Sequence, residues 1–459
     1  MKSFKKYQLL ALSLFIGATL TTSCETGQGG DDPQPPTPPE VVDPETPTES
    51  EAMDVADQKN YLDQVATEVI NEMDSDDFAE LVEFGDYISY TYEDYDFDDV
   101  AEWASEIFED LIEPLNTTTI EKDQWTTYFY NNYKAVIMAS NFKSHFTAKK
   151  YRWVRTDADD LQFIFKDDQS QECVLKLTTS GTTTKVHVSN VDDWYDYDYD
   201  SSTGRDIEYY DRIQMTIGVP EQITLSLTRG NANVFKVVMD IDLASIVSNE
   251  FDLSRSQLNM SVSTEFGNGY KFVISQAAYS PSKVSASFTV LKNGQMLINA
   301  ITSSNIEDIP SLKMSETEEV FDEFENVEAK NAYFKFDVLG KVQMQGTIED
   351  ARKYAEYLAE ADDNYDHERA FKSYINQANA LADINLFYDG SATKQATISL
   401  EAFEDYSYGG VSYWVAEPII TFYDGSSYNT FGEFFNKIDF KKTIRAFENM
   451  IESYEDMIY

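Results

Sequence analysis

The segment Trp194-Tyr195-Asp196-Tyr197-Asp198-Tyr199-Asp200 alternates flat aromatic rings with carboxylates, and two chemistries follow from that pattern. Asp196, Asp198 and Asp200 have the spacing of the first three calcium ligands of an EF-hand loop. Beyond them the match fails. Ser201 stands where the sharp turn needs glycine, Ile207 where a bidentate Glu is needed, and Glu208 comes one residue late. A looser calcium site is what remains, and calcium is the only cofactor the chain suggests. Trp194, Tyr195 and Tyr197 offer the second chemistry: ring faces that stack on sugars, beside aspartates that accept hydrogen bonds from hydroxyls. A solvated hairpin loop or an ordinary exposed strand would have the same composition.

Basic residues are informative because they are scarce, 35 Lys and Arg against 82 Asp and Glu. Lys143, Lys149, Lys150, Arg152 and Arg155 cluster with Phe146, Tyr151 and Trp153. A second group, Lys437, Lys441, Lys442 and Arg445, opens the last apolar-periodic segment, whose end holds Glu448, Glu452, Glu455 and Asp456. That order opposes a helix dipole, which favours acids at the N-terminus, so another interaction must reward it. The expectation is that both basic groups face acidic N-terminal helices of the same chain. The alternative is an anion site for lipopolysaccharide phosphate or an acidic glycan.

Catalysis finds little support. His145, His187 and His367 lie far apart, without metal-ligand spacing, and there is no His-Glu-x-x-His, Gly-x-Ser-x-Gly or phosphate-binding glycine loop. Cys173 sits in a strand pattern and reads as a buried small hydrophobe. With so many carboxylates no glycosidase pair can be nominated, and an enzyme is not expected.

The first residues give an address. Lys2, Lys5 and Lys6 precede an apolar run from Leu9 to Leu20, and Thr21, Thr22 and Ser23 lead to Cys24. That order is a cleavable secretory signal over 1–23, too short to span a bilayer. Leu20-Thr-Thr-Ser-Cys24 resembles a bacterial lipobox, with Thr21 where Leu is usual. The acidic, Pro-rich run that follows is similar to that of uncharacterised outer-membrane lipoproteins of Bacteroidota. In those proteins acidic residues soon after the lipidated cysteine accompany export to the cell surface. Here Glu25 is followed by five uncharged residues before Asp31, a partial version of that signal. The resemblance implies lipidation at Cys24, a membrane partner through that anchor, and a location on the outer membrane at the cell surface. Residues 24–53 would then be a tether, extended by seven prolines between Pro33 and Pro47.

Composition bounds the rest. The 459 residues, 42% hydrophobic and 14% aromatic, suffice for a substantial core. A net charge of −47 repels phosphates, so nucleic acid is not an expected partner. With Cys24 lipidated only Cys173 remains, so no disulfide forms within the chain.

The elements that must position these residues are read from periodicity. Residues 54–155 read as an acidic helical region. Leu62, Val65, Ala66, Val69, Ile70 and Met73 share one helical face; Phe78, Leu81 and Val82 suggest a second helix; Val100, Ala104, Ile107, Phe108 and Leu111 mark a third, stopped by Pro114. Residues 156–310 change to a period of two and read as an antiparallel β meander, with a hairpin at Lys292-Asn-Gly-Gln295. Residues 311–459 are mixed. Val320, Phe321 and Phe324 suggest a short helix, Thr347 to Asp350 a capping-type helix start, and Phe440 to Ile458 an amphipathic C-terminal helix. Pro220–Thr228 echoes Pro281–Thr289, and Phe387–Ser391 echoes Phe422–Ser426, the second pair reading as Asp-Gly hairpins. The predicted fold class is α+β: a large curved antiparallel sheet packed against helices. The predicted function is a non-catalytic, membrane-anchored surface lipoprotein binding a glycan or an outer-membrane partner protein. The alternative is a periplasm-facing carrier of a lipid-like ligand held between sheet and helices.

Overall fold

The computed structural model describes residues 52–73, 98–150, 152–167, 169–188, 191–315 and 327–428, together with 430, 433, 440, 442, 443, 445 and 446. The signal and tether, the expected helices at Phe78–Val82 and Val320–Phe324, and most of the C-terminal helix lie outside the described residues. Among the described residues no helix is long and apolar enough to cross a membrane.

Four α-helices and nineteen strands are described, and the fold is α+β with a mostly antiparallel sheet, as expected. The chain divides into two compact units. The first comprises 1–82, 261–308 and 327–459, and the second 83–260 and 309–326. Helix α1 (Val55–Glu72) belongs to the first unit and is capped by Asp54, whose carboxylate accepts the Asp57 N–H at 2.9 Å.

The second unit starts with α2 (Asp98–Leu111), which ends three residues before Pro114. Strands then begin at once, with β1 (Ile112–Lys122), β2 (Thr126–Met138), β3 (Ser144–Lys149) and β4 (Arg152–Thr156). The helical region therefore ends at Leu111, not at 155. The β-branched and aromatic runs Thr117–Ile120 and Thr126–Tyr130 fit a pleated surface better than a helix. The unit continues with β5 (Leu161–Lys166), β6 (Glu172–His187), β7 (Val191–Asp200), β8 (Arg205–Arg229) and β9 (Ala232–Ala244).

Two pairings depart from the antiparallel pattern: β2 with β8, and β3 with β5, are parallel. Strand β8 continues through Pro220. Pro220 lies opposite Thr183 across a bulge between Ser180 and Thr183, and Gly181 makes the bend at φ 80°. A proline without an N–H is accommodated at such an interruption of the ladder. The core of this unit is Trp103 of α2 packed with Phe146, Trp153, Phe165, Cys173, Leu227 and Val234. Trp103 meets Phe146 edge-on at 5.0 Å, and Phe163 stacks on Phe146 at 5.3 Å.

Strand β10 (Gln257–Phe266) begins in the second unit and ends in the first. The first unit then holds a meander of β11 (Tyr270–Ser280), β12 (Lys283–Lys292), β13 (Gln295–Glu307), β14 (Glu328–Val338) and β15 (Val342–Asp350). Helices α3 (Ala351–Asp363) and α4 (Glu368–Asn379) follow, then β16 (Ala382–Tyr388), β17 (Ala396–Tyr408), β18 (Val411–Phe422) and the short β19 (Ser427–Tyr428). Successive strands from β11 to β19 pair antiparallel. Asn293 and Gly294 both adopt positive φ in the expected β12–β13 hairpin.

Three sequence readings change in detail. Asp350 itself caps α3, accepting the Lys353 N–H at 2.9 Å, while Thr347 remains in β15. The Pro220 and Pro281 segments are not equivalent, because Pro220 is inside a strand and Pro281 is in the β11–β12 turn. The two Asp-Gly segments both turn at strand ends, with different geometries. Asp389 and Gly390 both have positive φ, whereas only Gly425 does in the second.

Helix α1 closes the core of the first unit. Its Leu62 packs with Leu386, Tyr388, Ala396, Ile398, Ile420, Phe422 and Phe440. Gln58, fully buried, donates to the carbonyls of Met53 and Gln395 and accepts from the Tyr388 hydroxyl. Helices α3 and α4 cover another face, with Ala361, Phe371 and Ile375 against Leu400, Ala402, Trp414 and Ala416.

Candidate functional site

The most built cluster of exposed chemistry lies on the second unit, where β1, β2, β7 and β8 run side by side. Parallel pairing puts Tyr128 beside Glu208, Tyr130 beside Tyr210 and Asn132 beside Arg212, all on one sheet face. The rings of Tyr130 and Tyr210 stack at 5.5 Å, and Tyr128 lies tilted at 6.2 Å from Tyr210. The Arg212 guanidinium sits 3.9 Å above the Tyr130 ring and 3.8 Å from the Glu121 carboxylate of β1.

Two of the three hydroxyls are held by carboxylates. Tyr210 donates to Glu208 at 2.5 Å, and Tyr128 donates to Asp123 at 3.1 Å. The hydrogen bond to Glu208 pushes the Tyr210 phenol up to about 12. Asp123 also accepts the backbone N–H groups of Thr126 and Trp125 at 2.6 and 2.7 Å, and these hold its carboxyl below the usual range. That turn presents Trp125 with 67% of its surface exposed. The result is a half-buried row of tyrosines, two of them fixed at their hydroxyls and Tyr130 held by Tyr210 and Arg212, with an exposed tryptophan at one end.

The aromatic candidates Trp194, Tyr195 and Tyr197 fall on β7, which pairs with this part of β8. By backbone register, position 194 is opposite Tyr210 and position 197 opposite Glu208, while position 195 is the extra residue of a bulge. The bulge puts positions 194 and 197, an odd number of residues apart, on one face. Positions 196 and 198 pair with Tyr209 and Ile207 and so take the opposite face. The segment is extended strand as far as Asp200, and the turn falls at Ser201–Gly204, so the coiled geometry of an EF-hand loop is not met. Strict alternation is a strand pattern, which explains why. Asp200 is occupied locally. Hydrogen bonds from the Ser202 hydroxyl and N–H and from the Thr203 hydroxyl bring its carboxyl down to about 2. Among the described residues no group of three or more His, Cys, Asp or Glu converges to hold a metal ion.

The basic groups divide. Arg152 and Arg155 line a cleft of about 320 Å3 together with Asp99, Glu102 and Glu106 of α2. Arg155 is further held by Ser144 at 2.9 Å and Asp157 at 3.1 Å. Lys143, Lys149 and Lys150 are exposed. Lys437 and Lys441 lie outside the described residues, and Lys442 and Arg445 are exposed. Between those two, Thr443 docks on α1, its N–H and hydroxyl donating to the buried Asp63 carboxylate at 3.1 and 2.7 Å.

The three histidines sit in separate surroundings. His145 is bonded to Asp160 at 2.6 Å, where the Lys176 ammonium above all holds the carboxyl well below its usual range. His187 meets Thr216 at 2.7 Å, and His367 stands exposed at the start of α4. Cys173 is fully buried, and burial pushes its thiol up to about 11. Nearby, Arg229 and Asp167 form a buried ion pair at 2.6 Å.

Tyr128, Tyr130, Tyr210 and Trp125 are not singled out by sequence reading. For Tyr128 and Tyr130 the available signal is the β-branched and aromatic run Thr126-Thr-Tyr-Phe-Tyr130, in a region read as helix, whereas Tyr210 lies in the expected meander. The chain matches no family model, no curated protein and no solved structure.

Proposed function

We propose that this chain is a non-catalytic, lipid-anchored surface protein of the outer membrane that binds a glycan on the tyrosine face of β2 and β8. The observation that carries the reading is the row Tyr128–Tyr210–Tyr130, in which Tyr130 stacks on Tyr210 and the hydroxyls of Tyr128 and Tyr210 are held by carboxylates. Rigid aromatic faces lose little entropy on binding, and their apolar surface suits the C–H faces of sugar rings. Carboxylates on the same face, Glu121, Glu208 and Asp123, accept hydrogen bonds from hydroxyls. The aromatic side chains left outside, with Trp125 at 67% and Tyr199 at 55% exposure, support a surface module over a carrier with an internal ligand. The address rests on the signal, Cys24 and the Pro-rich tether.

Affinity electrophoresis of Tyr130→Ala and Tyr210→Ala through gels containing neutral polysaccharides tests the reading. The expected result is about tenfold weaker retention for each, the equivalent of roughly 1.4 kcal/mol, with little change in Tm. Retention equal to wild type in both would end it. Protease treatment of intact cells tests the address, since the anchored body should be lost if it faces outwards.

A further inference from the structure

The first unit carries an aromatic stack of its own. Tyr406 of β17 and Tyr413 of β18 are paired directly across the strands and stack at 4.5 Å and 13°. Tyr365, from the link between α3 and α4, lies on Tyr413 at 5.5 Å and 24°, so three rings form one column. The column is built by specific backbone features. Asp405 is the extra residue of a bulge between Glu404 and Tyr406, which re-aims the strand end. Gly409 and Gly410, both at positive φ, close a two-residue hairpin. The Trp414 N–H donates to the Tyr365 carbonyl at 2.7 Å and ties the link to the strand.

The column is not core. Tyr406 is 53% exposed, Tyr365 41% and Tyr408, at the hairpin tip, 77%. Exposed aromatics grouped in this way leave apolar surface in water that a partner can cover. The surroundings are polar and acidic: Glu404, Asp405 and Asp366 are all exposed. An open cleft of about 610 Å3 begins one residue beyond Tyr365, lined by Asp366, His367, Glu368, Arg369, Ala370 and Ser373.

From these observations we infer that the Tyr365–Tyr413–Tyr406 column is a second contact surface for a neutral polysaccharide, on the first unit and separate from the tyrosine face of the second. This inference rests on the glycan reading and extends it: the ligand is a polymer, engaged at two places, and it is uncharged. Ring faces supply the stacking and the carboxylates and cleft residues the hydroxyl contacts. The same carboxylates, on a chain of net charge −47, repel uronic-acid or sulfated polymers. A protein partner would need a hydrophobic core patch depleted of charge, which the acidic residues around the column do not provide.

The experiment is affinity electrophoresis of the full-length chain, carried out on wild type, Tyr406→Ala, Tyr406→Phe, Tyr130→Ala and the double alanine variant. The gels contain amylopectin, galactomannan or xylan, with polygalacturonate as the anionic polymer. The expected result is retention by a neutral polymer but not by polygalacturonate, about fivefold weaker in Tyr406→Ala, near wild type in Tyr406→Phe, and weakest in the double variant. If Tyr130→Ala binds more weakly while Tyr406→Ala equals wild type, the second surface is overturned and the first reading stands. If Tyr406→Ala alone weakens binding, the second surface stands and the face on β2 and β8 is overturned. Retention by none of the neutral polymers overturns both, and stronger retention by polygalacturonate overturns the uncharged ligand. Should Tyr406→Ala lower Tm, nitration of wild type decides. A neutral polymer that protects Tyr406 and Tyr408 from nitration supports the surface, and unchanged nitration overturns it.

Discussion

Tyr210 is the residue whose behaviour can be read out most directly. Its hydroxyl bond to Glu208 moves the phenol up to about 12, so the folded state favours the protonated form. That preference is fully present below the ordinary tyrosine range near 10 and is lost as pH rises through about 12. Absorbance titrations near 295 nm of wild type and Glu208→Gln should differ by one tyrosine, whose ionisation moves from about 12 back towards 10 in the variant. Cys173 is a second test at this scale. Buried and shifted up to about 11, it should resist thiol reagents in the native chain and react completely in denaturant. Asp167 and Arg229 form a pair whose side chains are only 5% and 13% exposed. Asp167→Ala should cost about 3–5 kcal/mol by denaturant unfolding, because the guanidinium would be left buried without its counter-charge.

Among elements, α1 is the one whose role rests on a few polar contacts. Gln58 and Asp63, both buried, fix it to the turn at Gln395 and to Thr443. Asp63→Ala should lower stability by about 1–3 kcal/mol, since the Thr443 N–H loses its carboxylate acceptor while the hydroxyl keeps the Asp63 carbonyl. The helices themselves were legible. Three- and four-residue spacing marked α1 and α2, and Pro114 bounded α2 to within a turn. The hairpin at Asn293-Gly294 was legible for a similar local reason, because only a few residue types accept positive φ. What was not legible is non-local. Nothing in Thr126–Tyr130 names Asp206–Tyr210 as its neighbour, and a parallel pairing has no turn between the strands to announce it. The candidate site suffered for that reason. Trp194 and Tyr197 were picked for their type; Tyr210 beside them lies in the expected meander, but Tyr128 and Tyr130, on the next strand, come from a region read as helix. The basic residues fared unevenly. Arg152 and Arg155 do share a cleft with the acids of α2, whereas the dipole argument at the C-terminal segment concerns residues mostly outside those described.

For the whole molecule the dominant property is charge. Dense carboxylates raise solubility and repel anionic polymers at long range, and salt screens that repulsion within about 8 Å at physiological ionic strength. Stacking on a neutral sugar involves no net charge. Retention by a neutral polysaccharide should therefore change less than about twofold between low and high salt, whereas a binding mode based on the exposed lysines would weaken strongly. Each of the two units has a hydrophobic core of its own.

The parallel pairing of β2 with β8 has a consequence in time. Asn131 and Asp211, bonded across that pair at 3.2 Å, are 80 residues apart in the chain. Long-range pairings of this kind form after local hairpins, because the loop between them must close first. The tyrosine face therefore has no existence in a partly folded second unit: β2 waits until the whole of β3 to β7 and the start of β8 have followed. In a refolding experiment the stacked-tyrosine signal should emerge in the slowest phase, together with ligand retention. A copy in which that pairing has not formed thus lacks the tyrosine face altogether.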